Sequence, residues 1–134
     1  MTAFRGSMVA LVTPFLDNGD VDMDALARLV DLQLEGGTHG LIICGTTGEA
    51  ATMTEAEQNR VLSFVINRVN GKVPVIAGTG SNSTAKAIKS SKAAKDAGAD
   101  GLLVVTPYYN KPTQEGLVDY YNEISDAVEL PIVL

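Results

Sequence analysis

Two threonines side by side between glycines, Gly45-Thr46-Thr47-Gly48-Glu49, form the stretch of this chain best suited to chemistry. The apolar run Leu41-Ile42-Ile43-Cys44 leads straight into it, and Ala50-Ala51-Thr52-Met53-Thr54 follows, where a helix is expected to begin. A strand ending in such a loop offers hydroxyls and backbone N–H groups at its carboxyl end, where α/β proteins bind small anionic ligands. Glycines at both ends let the backbone approach a ligand without interference from a Cβ. The same five residues also suit a plain βα turn, and a motif this short does not separate the two. Two further stretches carry hydroxyls between apolar runs: Gly78-Thr79-Gly80-Ser81-Asn82-Ser83-Thr84, and Thr106-Pro107-Tyr108-Tyr109-Asn110-Lys111-Pro112.

The remaining reactive side chains have plainer readings. Lys86, Lys89, Lys92 and Lys95 recur every third residue and make a wet helix face. Lys111 sits alone on a loop and reads as a solvated loop cation. His39 precedes a strand, on the face away from the loops, and reads as a surface residue. Cys44 cannot form an internal disulfide and reads as a small buried hydrophobe. No Cys/His/Asp/Glu cluster has metal-ligand spacing, and no cofactor is expected.

The elements that position these stretches alternate regularly. Met8-Val9-Ala10-Leu11-Val12 is apolar on both faces, as a strand of a covered parallel sheet should be, and Thr13-Pro14 ends it. After the turn cluster Asp17-Asn18-Gly19-Asp20, Met23, Leu26, Val30 and Leu34 make one helical stripe, closed by Gly36-Gly37. Thr54-Glu55-Ala56-Glu57 has the form of a capping box, and Val61, Phe64, Val65 and Val69 make the stripe of the helix it starts. Val73 to Ala77 is the third strand, a helix runs from the Ser-Thr loop to about Ala97, and Leu102 to Val105 is the fourth strand. Leu117, Tyr120, Tyr121, Ile124 and Val128 form the last stripe, and Leu130-Pro131-Ile132-Val133-Leu134 opens a fifth strand.

The units also repeat. Gly36 to Ile43 lines up with Ala97 to Val104, and Val73-Pro74-Val75-Ile76 with Leu130-Pro131-Ile132-Val133. Strand–helix alternation without antiparallel hairpin signals calls for right-handed βαβ crossovers and a parallel sheet. An open doubly wound sheet and part of a (β/α)8 barrel both satisfy that. Four and a half units in 134 residues extrapolate to the ~250 residues of a closed barrel, and the stop inside a strand favours a barrel cut short. The expectation is therefore an α/β chain whose residues 1–134 are the N-terminal part of a single TIM-barrel domain.

Composition narrows the functional classes. Ten Lys+Arg against sixteen Asp+Glu give a net charge of −6, with no basic patch interleaved with aromatics, so nucleic acid is an unsuitable partner. No apolar run approaches the ~20 residues of a membrane span, and the first residues lack the layout of a secretory signal. A cytoplasmic protein is expected.

Four stretches carry a resemblance: Ala10-Leu11-Val12-Thr13-Pro14-Phe15, Gly45 to Ala50, Gly78 to Thr84, and Val105 to Pro112. In order and spacing they are similar to the N-terminal half of the dihydrodipicolinate synthase family, a branch of the pyruvate-dependent class I aldolases to which N-acetylneuraminate lyases also belong. The resemblance implies condensation of pyruvate with L-aspartate 4-semialdehyde through a lysine Schiff base, in lysine and diaminopimelate biosynthesis. It implies that Thr46 is a proton-relay hydroxyl and that Thr47, through its backbone N–H, binds the pyruvate carboxylate, with Gly45 and Gly48 allowing the approach. It implies that Tyr109 is a relay tyrosine reaching into a neighbouring subunit of a homo-oligomer, a dimer of dimers in the family. It also implies a regulatory L-lysine site involving Asn82 and Tyr108. There Lys86 replaces a carboxylate, and Glu55 and Gln58 replace histidines, so inhibition by L-lysine is expected to be weak or absent. The family's second relay tyrosine, its carboxylate-binding arginine and its Schiff-base lysine belong beyond Leu134, so the isolated chain is expected to be inactive. A sister aldolase, a non-catalytic half-barrel partner and, more distantly, a flavodoxin-like phosphate binder are the alternatives.

Overall fold

The computed structural model describes residues 4–134. Five parallel strands alternate with four helices: β1 (Met8–Ala10), α1 (Met23–Glu35), β2 (Gly40–Ile43), α2 (Glu55–Val69), β3 (Val75–Gly78), α3 (Thr84–Ala97), β4 (Gly101–Leu103), α4 (Gln114–Ala127) and β5 (Ile132–Val133). A 3-10 turn, Ala50–Thr52, precedes α2. The strands pair in sequence order, β1-β2-β3-β4-β5, all parallel. This order decides between the two architectures. Right-handed crossovers that always advance in one direction put every helix on the same side of the sheet, which is barrel winding. A doubly wound sheet would reverse direction partway.

Side chains alternate accordingly. Leu41, Ile43, Val75, Ala77, Leu102 and Val104 face the helices, and all are nearly inaccessible. They pack on Leu26 and Val30 of α1, Val61 and Val65 of α2, Ala87 and Ala94 of α3, and Ile124 of α4 in one core. Register aligns Ala10 with Ile42, Ile42 with Ile76 and Ile76 with Gly101, which forms a row on the opposite face. Phe4 fills the space at the Gly101 end of that row, where a Cβ would meet its ring at 2.5 Å.

Each helix starts on a side-chain cap. Asp22, Thr54, Ser83 and Thr113 accept from the N–H groups of Ala25, Glu57, Lys86 and Gly116, and Thr54 with Glu57 completes the capping box. The repeat seen in the sequence is a structural one. Leu41 N–H donates to Pro74 O at 3.0 Å and Leu102 N–H to Pro131 O at 2.9 Å, so β2–β3 and β4–β5 share one register.

The strands are shorter than, or shifted from, the apolar runs that announce them. β1 ends at Ala10 rather than Val12 and β4 at Leu103 rather than Val105, because Val12 and Val105 have left the sheet and are 48% and 45% exposed. β3 starts at Val75 and β5 at Ile132, since Pro74 and Pro131 have no N–H to donate. An isolated antiparallel bridge joins Phe15 to Val21 around the turn cluster, a short hairpin not anticipated from the sequence. Leu62, absent from the expected α2 stripe, is also buried.

Candidate active site

Parallel strands deliver their carboxyl ends to one rim, and all the hydroxyl-bearing stretches meet there. The loop after β2 opens with Cys44 at φ 57°, then makes a tight turn in which Gly48 N–H donates to Gly45 O at 3.1 Å and Glu49 N–H to Thr46 O at 3.0 Å. Among the described residues, the N–H groups of Thr46 and Thr47 make no backbone hydrogen bond. Both threonines are exposed, whereas Gly48 is buried. The loop therefore presents two adjacent N–H donors and two hydroxyls to the rim, a geometry suited to a carboxylate.

Neighbouring elements hold this loop on three sides. Thr13, 5% exposed just past β1, donates its hydroxyl to Gly48 O at 2.7 Å. Gln58 on α2 donates its amide to Ala50 O at 2.7 Å. Gly78 at the end of β3 lies so close that a Cβ would meet Cys44 O at 2.2 Å. The Cys44 thiol is buried against α2, and burial pushes its pKa up to about 11, so it stays a neutral, unreactive group near neutral pH.

The β3 and β4 loops are locked to each other. The Tyr120 hydroxyl, on a ring 3% exposed, accepts from Ser81 N–H at 3.1 Å and donates to Ser81 O at 2.9 Å, with Val105 O at 3.4 Å. The Tyr121 hydroxyl donates to Val104 O at 3.1 Å, and the two rings meet edge to face at 5.1 Å. Burial raises the pKa of both phenols. Asn110 donates its side-chain amide to Asn82 O at 3.0 Å. Inside, the fully buried Ser91 hydroxyl donates to Thr79 Oγ1 at 2.9 Å, tying the loop to α3.

A cleft of about 380 Å³ runs between the β2 and β3 loops. Gly45, Thr46, Asn82 and Tyr108 line it, as do Glu55, Gln58 and Lys86. Thr47, Gly48 and Tyr109 are not on its wall. Glu55 is engaged by Lys89 at 2.6 Å, and that contact lowers its pKa. Tyr109 stands apart, 93% exposed at φ 70°, in the left-handed region that a bulky side chain seldom occupies. Lys86, Lys89, Lys92, Lys95 and Lys111 are all exposed, and so is His39, whose Nδ1 accepts from Ser7 N–H at 3.1 Å at the opposite rim.

Thr13 and Tyr120 are the residues that sequence reasoning left without a part in the site's architecture, and Gln58 had one only at the regulatory site. Only Tyr120 carried a legible signal, because a tyrosine in a buried stripe needs a partner for its hydroxyl.

Comparison with known proteins gives one consistent result. The model of the dihydrodipicolinate synthetase family matches residues 3–134. The 4-hydroxy-tetrahydrodipicolinate synthase of Pelobacter propionicus is 60% identical over 131 residues, 98% of this chain and 45% of that protein. That of Clostridium tetani is 54% identical over 134 residues. Among solved structures, the chloride-inhibited dihydrodipicolinate synthase of Acinetobacter baumannii complexed with pyruvate superposes with a TM-score of 0.96. It is 52% identical, and the match covers 97% of this chain and 45% of that one. The chain thus spans a little under half the length of the relatives it matches.

Proposed function

The chain belongs to the dihydrodipicolinate synthetase family, and on that premise we propose that it forms the N-terminal part of a single barrel domain that condenses pyruvate with L-aspartate 4-semialdehyde. The observation that carries this reading is the pair of N–H groups on Thr46 and Thr47, held without backbone acceptors at the carboxyl end of β2. Pyruvate offers a carboxylate that two such donors can bind, and the structural relative from Acinetobacter baumannii carries pyruvate.

Thr46 and Tyr109 are the proton-relay hydroxyls in this proposal. A Schiff-base aldol reaction needs protons moved at carbinolamine formation, enamine formation and aldehyde addition, and positioned hydroxyls supply that path. Thr47 binds the carboxylate, and Gly45 and Gly48 keep the loop free of side chains. Tyr109 acts in the site of a neighbouring copy, since its hydroxyl is almost wholly in solvent here and its strained backbone holds it outward.

None of the chain's own lysines takes the nucleophile's part in this proposal. Lys86 lines the cleft as an exposed cation, Lys89 is engaged by Glu55, Lys92 and Lys95 are exposed on α3, Lys72 follows α2 at the far rim, and Lys111 is exposed on the β4 loop. The 134 residues by themselves therefore bind pyruvate without forming a Schiff base. Incubation with pyruvate, borohydride reduction and intact-mass measurement test this directly. An unmodified mass is the expected result. A stoichiometric adduct would make one of these lysines, Lys111 first, the nucleophile.

A further inference from the structure

We propose that Thr13 is a positioning residue for the carboxylate-binding loop, its hydroxyl clamping the Gly48 carbonyl so that the Thr46 and Thr47 N–H groups are held ready for a ligand. This deepens the pyruvate reading above and rests on it.

Thr13 occupies a constrained place in the fold. It follows the end of β1, and its neighbours Val12 and Phe15 are 48% and 36% exposed, yet Thr13 itself is buried. It is inserted between the β1 exit and the β2 loop, where its Oγ1 donates to Gly48 O at 2.7 Å across 35 residues of sequence. Gly48 is held from further directions too. Its N–H donates to Gly45 O, and its Cα rests where a Cβ would stand 3.1 Å from Leu11 O and 3.4 Å from Cys44 N.

The loop is thus anchored at both ends. Cys44 and Gly45 are fixed by β2 and by the β3 exit, and Gly48 is fixed by β1. Between the anchors lie only Thr46 and Thr47, whose N–H groups, like that of Gly45, lack backbone acceptors. A two-residue span with pinned ends has little conformational freedom left to lose, so a ligand that takes both donors binds without ordering them first. Releasing the Gly48 end returns that cost to the binding step. A threonine serving only its own burial would change stability alone.

The test uses the 134-residue chain, ¹⁵N-labelled and titrated with pyruvate, with the Thr46 and Thr47 amide resonances as readout and circular dichroism as the check on folding. In the parent chain both resonances shift saturably; without any such shift, the pyruvate reading itself fails. Thr13→Val keeps the shape and removes the donor, and a folded variant binds pyruvate about five- to tenfold more weakly, the loss expected from one missing buried hydrogen bond. Thr13→Ser, which keeps the donor, binds within about twofold of the parent on the same scale. Unchanged affinity in folded Thr13→Val overturns the proposal and leaves the pyruvate reading standing. If Thr13→Val does not fold, Thr13→Ser decides alone: parent-like binding supports the hydroxyl clamp, and a loss as large as tenfold makes the methyl group, not the hydroxyl, what holds the loop.

Discussion

Gly78 lies against the backbone of Cys44 so closely that a Cβ on Gly78 would stand 2.2 Å from the Cys44 carbonyl oxygen and 2.8 Å from Gly45 N. The two strand exits are in backbone contact, and Cys44 takes a left-handed φ of 57° at that point. The β2 loop is therefore shaped by β3 as much as by its own glycines.

Gly78→Ala should be poorly tolerated, since the clash is with backbone and no side chain can move aside. A loss of about 3 kcal/mol or more is expected, at the upper end of overpacking substitutions. Urea unfolding measures it. An unchanged midpoint would mean that the exits separate freely.

Tyr109 should contribute nothing to stability. Asn110 N–H donates to Tyr108 O at 2.9 Å, which closes a γ-turn with Tyr109 at its centre at φ 70°. Glycine adopts that conformation without steric cost, so Tyr109→Gly should leave the chain as stable as before or up to ~1 kcal/mol more stable. The relay role proposed above would account for a bulky residue at so strained and exposed a position. Marked destabilisation on this change, read from thermal unfolding, would make the ring a structural part.

Tyr120→Phe should loosen the rim while preserving the core, because only the hydroxyl that bridges Ser81 is lost. Two partly buried backbone groups lose a partner, at a cost of about 1 kcal/mol. Amide exchange should quicken at Ser81 and in the β4 loop while the α4 core keeps its protection. Uniformly faster exchange would instead show a general loss of stability.

Cys44 should react with thiol reagents only on unfolding, being 6% exposed with its pKa raised to about 11 from 9.0. Its folded-state pKa lies above its unfolded one, so the neutral thiol's contribution is fully present below pH 9 and is lost as pH rises through about 11. The loss attributable to this group is on the order of 2 kcal/mol. Cys44→Ala should flatten that part of the alkaline stability curve. Equal curves for the two proteins would show that the thiol does not titrate differently on folding.

L-Lysine should bind poorly to the cleft beside Thr46. Lys86 lines it, and the Glu55 carboxylate that could offset that charge is already engaged by Lys89. Calorimetric titration should show no saturable binding at low millimolar concentrations, and Lys86→Glu should strengthen binding by restoring an anion. Tight binding by the parent chain would refute the charge argument.

Element order and helix faces were legible in the sequence because they depend on local periodicity and capping. Thr54 and Glu57, three residues apart, announce the start of α2 unaided. Barrel or open sheet was not legible from alternation alone, since both give the same string and differ only in which strand lies beside which. The Gly-Thr-Thr-Gly-Glu loop stood out by composition. The residues that hold it did not, because Thr13 acts across 35 positions and Tyr120 across 39. Thr13 read as the end of a strand and Tyr120 as part of a stripe, and both descriptions hold without disclosing the hydroxyl's partner.

Strand order has a consequence for how the chain comes to be folded. Among the described residues, each strand from β2 onward pairs with the one made just before it. Each βα unit can settle on its predecessor while the ribosome is still translating the next, and closures this local keep the entropic barrier to each addition low. Maturation can then advance from the N-terminus outward, with the β2 loop already braced by β1 before the residues of β4 have been polymerised.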